Sequence, residues 1–275
     1  MGLNRRVWPW WAVFLGLLSL PIVAGYLWLV LSSLSNQMHG LLPTGGWKLQ
    51  NWRFLWESVG GRPSIWGALS NTLIFAFGVA ALEVLISAMT AYAISRLRFP
   101  GRGVYLGMIL VLHSFPAVSL LIAIFYILRL LGLFDTLMGV ILVKAALDIP
   151  LGIWVLKGFF DGLSWDMEMA ALTDGASRWI IFWRIALPLV RPGLLALGTF
   201  ALLSAWGEFI LPYTLIISNK TWTLSLYLQS LIGAVDLTDY GLLAAVGLFY
   251  LLPVVVLFLL GQRYLLDIYG GGSKG

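Results

Sequence analysis

Six long apolar runs alternate with polar stretches along the chain, at residues 9–33, 68–95, 104–130, 136–159, 193–217 and 241–262. A helix needs about 20 apolar residues to cross a hydrocarbon layer of about 30 Å, and each run meets that length. Strands of a membrane barrel would be about ten residues long with alternating polarity, and that pattern is absent. The expected fold is therefore an all-α integral membrane protein with six transmembrane helices. Pro116, Pro150 and Pro253 fall inside runs and should kink them. Two polar loops, 34–67 and 218–240, separate the first pair and the last pair of spans. The organisation reads as an N-terminal anchor helix with an external loop, 1–67, followed by a membrane core, 68–275, whose loop 161–192 is neither apolar nor a plain surface connection.

Composition agrees with this pattern. Of 275 residues, 60% are hydrophobic and 11% charged, against about a quarter charged in soluble chains. There is no cysteine, so disulfides, thiol catalysis and Cys-based metal sites are excluded. The net charge of +5 is spread over loops, which is the loop bias of a membrane protein and not a nucleic-acid surface. Eleven basic residues (Arg5, Arg6, Arg96, Arg98, Arg102, Lys157, Arg178, Arg184, Arg191, Arg263, Lys274) lie on one side and five (Lys48, Arg53, Arg62, Arg129, Lys220) on the other. That asymmetry puts both termini and loop 161–192 in the cytoplasm and favours an even number of spans. Arg5 and Arg6 precede the run from Val7 to Leu31, which reads as a retained signal-anchor helix.

Charge inside the spans is costly and has to be explained. Lys144 and Asp148 are four apart on one helix face and can pair. Together with Glu83 they are expected to form a buried polar cluster holding the second and fourth spans together, with a proton or substrate path as the functional alternative. Glu208, in the fifth run, would face either a translocation cavity or neighbouring helices. Trp154 and Trp206 are the aromatic candidates for stacking on a substrate, although packing and interfacial belts account for most membrane tryptophans. His113 and His39 are the two histidines, too few and too far apart for a metal site. No nucleophile–base pairing appears, so no catalytic residue is expected. There is no GxxxxGK[ST] loop, and Gly270–Lys274 reads as a tail, not a phosphate cradle.

Ser164 to Pro192 carries the remaining signal. Ser164 can cap a helix whose first turn holds Asp166 and Glu168. Ala170 and Ala171 leave its backbone approachable, and Gly175 can end it in the left-handed conformation. Ser177 can open a second helix that Pro188 closes. Periodicity alone allows an amphipathic elbow lying on the membrane surface.

The run Glu168, Ala170, Ala171, Asp174, Gly175, followed by Ile185, Leu187 and Pro188, resembles the EAA loop of ABC importer permeases. The wider sequence, including Asn71-Thr72, Ala91-Tyr92-Ala93, Arg96 to Arg102 and Trp206-Gly207-Glu208-Phe209, is similar to the carbohydrate-uptake branch, on the side of the maltose-type second permease. There are two departures. The acid lies seven positions before the Gly, with Met169 at the sixth, an offset of about 100° on a helix. Gly207 stands where that branch often has Asn. The resemblance implies a type I importer permease with a cytoplasmic coupling helix between the fourth and fifth helices, in which Glu168, Met169, Ala170, Ala171, Asp174 and Gly175 face a separate ATPase. It further implies a homologous second permease, two ATP-binding subunits holding ATP and Mg, an external solute-binding protein docking on loops 34–67 and 218–240, and a sugar or related polyol as cargo. This chain itself would hold no cofactor and would lie in a bacterial or archaeal inner membrane. An ion- or proton-coupled secondary transporter, suggested by the intramembrane charges, and a sensor or assembly factor are the alternatives of other classes.

Overall fold

The computed structural model describes residues 8–39, 42–233 and 238–270. Arg5, Arg6 and residues 271–274 of the Gly-rich tip, named above, lie outside the described residues. In chain order the elements are α1 (Trp8–Leu34), a ribbon of β1 (Ser35–His39) and β2 (Leu42–Trp47), a 3-10 turn at Leu49–Leu55, α2 (Ile65–Arg96), α3 (Arg102–His113), α4 (Ala117–Leu130) and α5 (Leu137–Asp161). There follow α6 (Trp165–Thr173), α7 (Arg178–Ile181), a π-turn at Phe182–Ala186, α8 (Leu187–Leu189), α9 (Arg191–Trp206), α10 (Ile210–Leu215), α11 (Leu224–Ser230) and α12 (Tyr240–Gly270). The molecule is mostly helical, as backbone inside a bilayer must satisfy its own hydrogen bonds.

Three helices among the described residues, within α1, α2 and α5, are long and apolar enough to cross a membrane, and up to five spans result if two bent pairs are counted as one each. Two expected spans differ in form. The run 104–130 is two helices, α3 and α4, meeting at 97°. Pro116, which has no N–H and steers its predecessor away from helical backbone, stands at that break. The run 193–217 ends as a helix at Trp206, and Gly207 to Phe209 turn the chain into α10. Pro150 and Pro253, in contrast, lie within α5 and α12 without ending them.

The chain divides into two compact units, Met1–Ile65 with Tyr227–Leu252, and Trp66–Leu226 with Pro253–Gly275. In the first unit α1 leaves its side chains from Trp10 to Leu27 exposed. The antiparallel ribbon within loop 34–67 was not foreseen from the sequence. Buried Asn51 donates to Ser33 O at 3.0 Å and Ser35 O at 2.9 Å, fixing the end of α1 to the 3-10 turn. Arg62 holds Ser230 through Oγ at 2.8 Å and the carbonyl at 2.6 Å.

The second unit has its core where α2, α5 and the α7–α9 stretch meet, around Ala91, Leu156, Phe160, Phe182 and Ala186. Small residues permit that approach. A side chain at Gly152 would run into Ser87, whose Oγ donates to Ile149 O at 3.3 Å, and a Cβ at Gly193 would stand 2.6 Å from the Phe159 ring.

Candidate functional site

The helix α6 is specified by its ends. Ser164 Oγ accepts the N–H of Asp166 at 3.3 Å, and Asp166 and Glu168 occupy the first turn, where the helix dipole favours anions. At the other end Ala176 N bonds Ala171 O at 2.9 Å and Gly175 N bonds Leu172 O at 3.1 Å, the paired bonds of a Schellman cap. This cap requires a left-handed residue, and Gly175 has φ 81°. No atom lies within 4 Å of a Cβ built there, so backbone conformation and not space demands glycine. Ser177 then caps α7 by accepting the N–H of Ile180 at 3.3 Å.

Pro188 does not end the second helix. The chain widens into the π-turn, in which Leu187 N reaches back five residues to Phe182 O. A proline ring clashes with the carbonyl four residues earlier in an α-helix, and the wider turn relieves that clash. The bend of 76° follows α8, where α9 begins.

Glu168 and Met169 point to different places. Glu168 is 1% exposed. It accepts from Arg96 Nε at 2.5 Å and from the Tyr92 hydroxyl at 3.2 Å. Arg96 also donates to Leu163 O at 2.9 Å and lies over the Trp165 ring at 5.2 Å. The end of α2 thus grips α6 from within. Nearby, Ser95 and Lys157 both bond Asp161. Met169 is 49% exposed, Ala170 and Asp174 are exposed, and Ala171 is partly covered. Sequence reasoning did not assign Arg96 or Tyr92 a role. Both belong to the quoted stretches ending the second span, but nothing local connects them to Glu168.

In the membrane interior Lys144 and Asp148 do pair, through Oδ1 at 3.2 Å, with Oδ2 also at 3.0 Å but off the hydrogen-bond direction. Glu208 joins them, its Oε2 standing 3.3 Å from the Lys144 amine. Glu83 is buried within electrostatic reach of Asp148 and Lys144, yet its Oε2 has no hydrogen-bond partner among the described residues. The other Glu208 oxygen accepts the N–H of Leu211 at 3.2 Å, and its carbonyl accepts from Ser225 Oγ at 3.1 Å. Of the two tryptophans singled out, Trp206 is buried and Trp154 is half exposed. His113 Nδ1 lies 3.4 Å from Leu147 O. Among the described residues no group of three His, Asp or Glu is placed to hold a metal ion.

The stretch beyond α10 is tied down at its other end. Asp135, at φ 61°, accepts from Ile217 N at 2.7 Å, Ser218 N at 2.8 Å and the Ser218 hydroxyl. The Ser218 hydroxyl, with the backbone donors, holds its carboxyl below the usual aspartate range. Asn71 donates to Lys220 O and Trp222 O, both at 2.9 Å, and Thr72 Oγ1 accepts from Leu224 N at 2.8 Å.

Residues 83–266 match the family described as binding-protein-dependent transport system inner membrane component. The trehalose transport system permease protein SugB of Mycobacterium tuberculosis is 32% identical over 210 residues, 76% of this chain and 77% of that one. The diacetylchitobiose uptake system permease protein NgcG of Streptomyces coelicolor is 30% identical over 263 residues, 94% of this chain and 84% of that one. A chain in the crystal structure of a bacterial ABC transporter involved in the import of the acidic polysaccharide alginate has the same fold, with a TM-score of 0.81 at 22% identity, covering 96% of this chain and 99% of that one. These likenesses leave the ion- or proton-coupled alternative unsupported. They make this chain a transport subunit rather than an enzyme, with the ATPase on a separate partner. The chain belongs to the family of binding-protein-dependent transport system inner membrane components, as a multi-pass permease subunit of an ABC importer.

Proposed function

We propose that this chain forms half of the translocation pathway for a di- or oligosaccharide or related polyol compound, and that α6 is the coupling helix on which a separate ATPase pulls. The observation that carries the coupling assignment is α6 itself. It is capped at both ends, pinned to α2 by Arg96, and presents Trp165, Met167, Met169 and Ala170 outward. Relatives named for trehalose and diacetylchitobiose support the substrate class. The arrangement has six spans, with the bent α3–α4 and α7–α9 stretches each serving as one and α12 as the last, and with both termini cytoplasmic as the basic residues indicate. Residues 1–67 act as anchor and external loop, and 68–275 as the permease core. A homologous second permease completes the pathway. Two ATP-binding subunits hold ATP and Mg, and an external solute-binding protein docks on loops 34–67 and 218–240. Alternating access then follows from movement of the two permeases about the midplane.

The assembled complex, reconstituted in vesicles, tests this reading. Uptake should require ATP and persist with an uncoupler. The complex purified with its binding protein should carry a sugar identifiable by mass spectrometry. Uptake that needs no ATP overturns the proposal.

A further inference from the structure

Lys144 belongs to α5, yet its amine is shared with Glu208 in the turn between α9 and α10. A backbone interrupted inside a membrane has N–H and C=O groups to satisfy. Glu208 satisfies one of them by capping Leu211, and its carbonyl takes the Ser225 hydroxyl. The segment from Gly207 to Leu226 is therefore fastened at its outer end by the Asp135, Asn71 and Thr72 hydrogen bonds, and at its membrane end by an ion pair. The surroundings make that pair consequential. Lys144 touches two carboxylates, and a third, Glu83, lies close with one oxygen unpartnered among the described residues. Taking away the amine leaves like charges together in a poorly solvated place, where their repulsion is strong.

We propose that Lys144 is a positioning residue for transport. By holding Glu208 it fixes the α9–α10 turn to α5, so that the segment through Ser225 moves with α5 during the transport cycle. This rests on the importer reading above.

The test uses the assembled transporter with its ATPase and binding protein in vesicles. Lys144→Glu and Glu208→Lys should each lower binding-protein-stimulated ATP hydrolysis and uptake about ten-fold, with unstimulated hydrolysis unchanged to within about two-fold. Lys144→Arg keeps the charge and should retain both activities. The double variant Lys144→Glu/Glu208→Lys keeps the cluster's charge count, although a lysine at position 208 cannot accept the Leu211 N–H, and should regain part of the stimulated rate and exceed either single variant. Parental uptake by Lys144→Met overturns the proposal, as does a double variant no better than either single one. Failure of the importer reading would show differently, as ATP-independent uptake by the parent.

Discussion

Among the described residues charge is buried in two places, and the two are built to opposite accounts. At the end of α2 one guanidinium meets one carboxylate, and further donors and acceptors (Tyr92, Leu163 O, the Trp165 face) take up what remains. In the membrane interior one amine serves Asp148 and Glu208 with Glu83 close by, and a Glu83 oxygen has no hydrogen-bond partner among the described residues. The first is a closed joint, suited to making α2 and α6 move as one body. The second carries surplus negative charge, and so its arrangement is easier to change. A transmission element benefits from the former and a moving pathway from the latter.

The largest expected effect breaks the closed joint. Arg96→Met leaves Glu168 buried without its cation, at a cost of about 3–5 kcal/mol, whereas Arg96→Met/Glu168→Met should recover most of it. Thermal unfolding of the purified complex in detergent measures both. A single variant as stable as the parent would erase the contrast between the two regions. Next comes Gly175→Val, which forces a β-branched residue into left-handed backbone at about 1–2 kcal/mol. It should insert and bind the second permease, yet lose substrate-stimulated ATP hydrolysis. Undiminished uptake in that variant would separate α6 from coupling.

The surplus-charge region should respond with the opposite sign. Glu83→Gln removes a buried carboxylate that lacks a full set of partners, so the complex should unfold no more easily than the parent and gain up to about 1 kcal/mol. A marked loss of stability would mean that Glu83 is as tightly paired as Glu168. The smallest effect concerns Asp135, outside both regions. Its folded pKa lies below the unfolded one, so its stabilising contribution is fully present above the ordinary aspartate value of about 3.9 and is lost as pH falls through the lower folded value. Asn also tolerates positive φ. The difference in melting temperature between parent and Asp135→Asn should therefore stay constant from about pH 8 to about pH 5 and shrink only in strong acid. A difference that changes around neutrality would contradict the assignment.

The capped ends of α6 were legible in the sequence because capping is local: Ser164, Gly175 and Ser177 bond within five residues of themselves. The apolar runs were legible for a similar reason, since length and hydropathy decide whether a helix suits a bilayer. The Arg96–Glu168 joint spans 72 positions, and no pattern near either residue announces the other. Glu208 joined Lys144 only because the fifth run stops at Trp206, and continuous hydrophobicity hid that interruption. Pro188 read as a terminator because it lacks an N–H, but the π-turn before it had already redirected the bonding.

That π-turn has a consequence for chain length. A π-turn amounts to an α-helix holding one residue too many. Deleting any single residue from Phe182 to Ala186 would remove that extra residue and bring the Pro188 ring against the carbonyl of an ordinary turn. The adjoining helix α7, and α6 joined to it, would then rotate by about 100° about the axis relative to α8. Trp179 and α6 would swing with it, away from Tyr92 and Arg96. In this stretch the number of residues is therefore under tighter constraint than their identity. Substitutions here alter packing, while a one-residue deletion would re-aim α6.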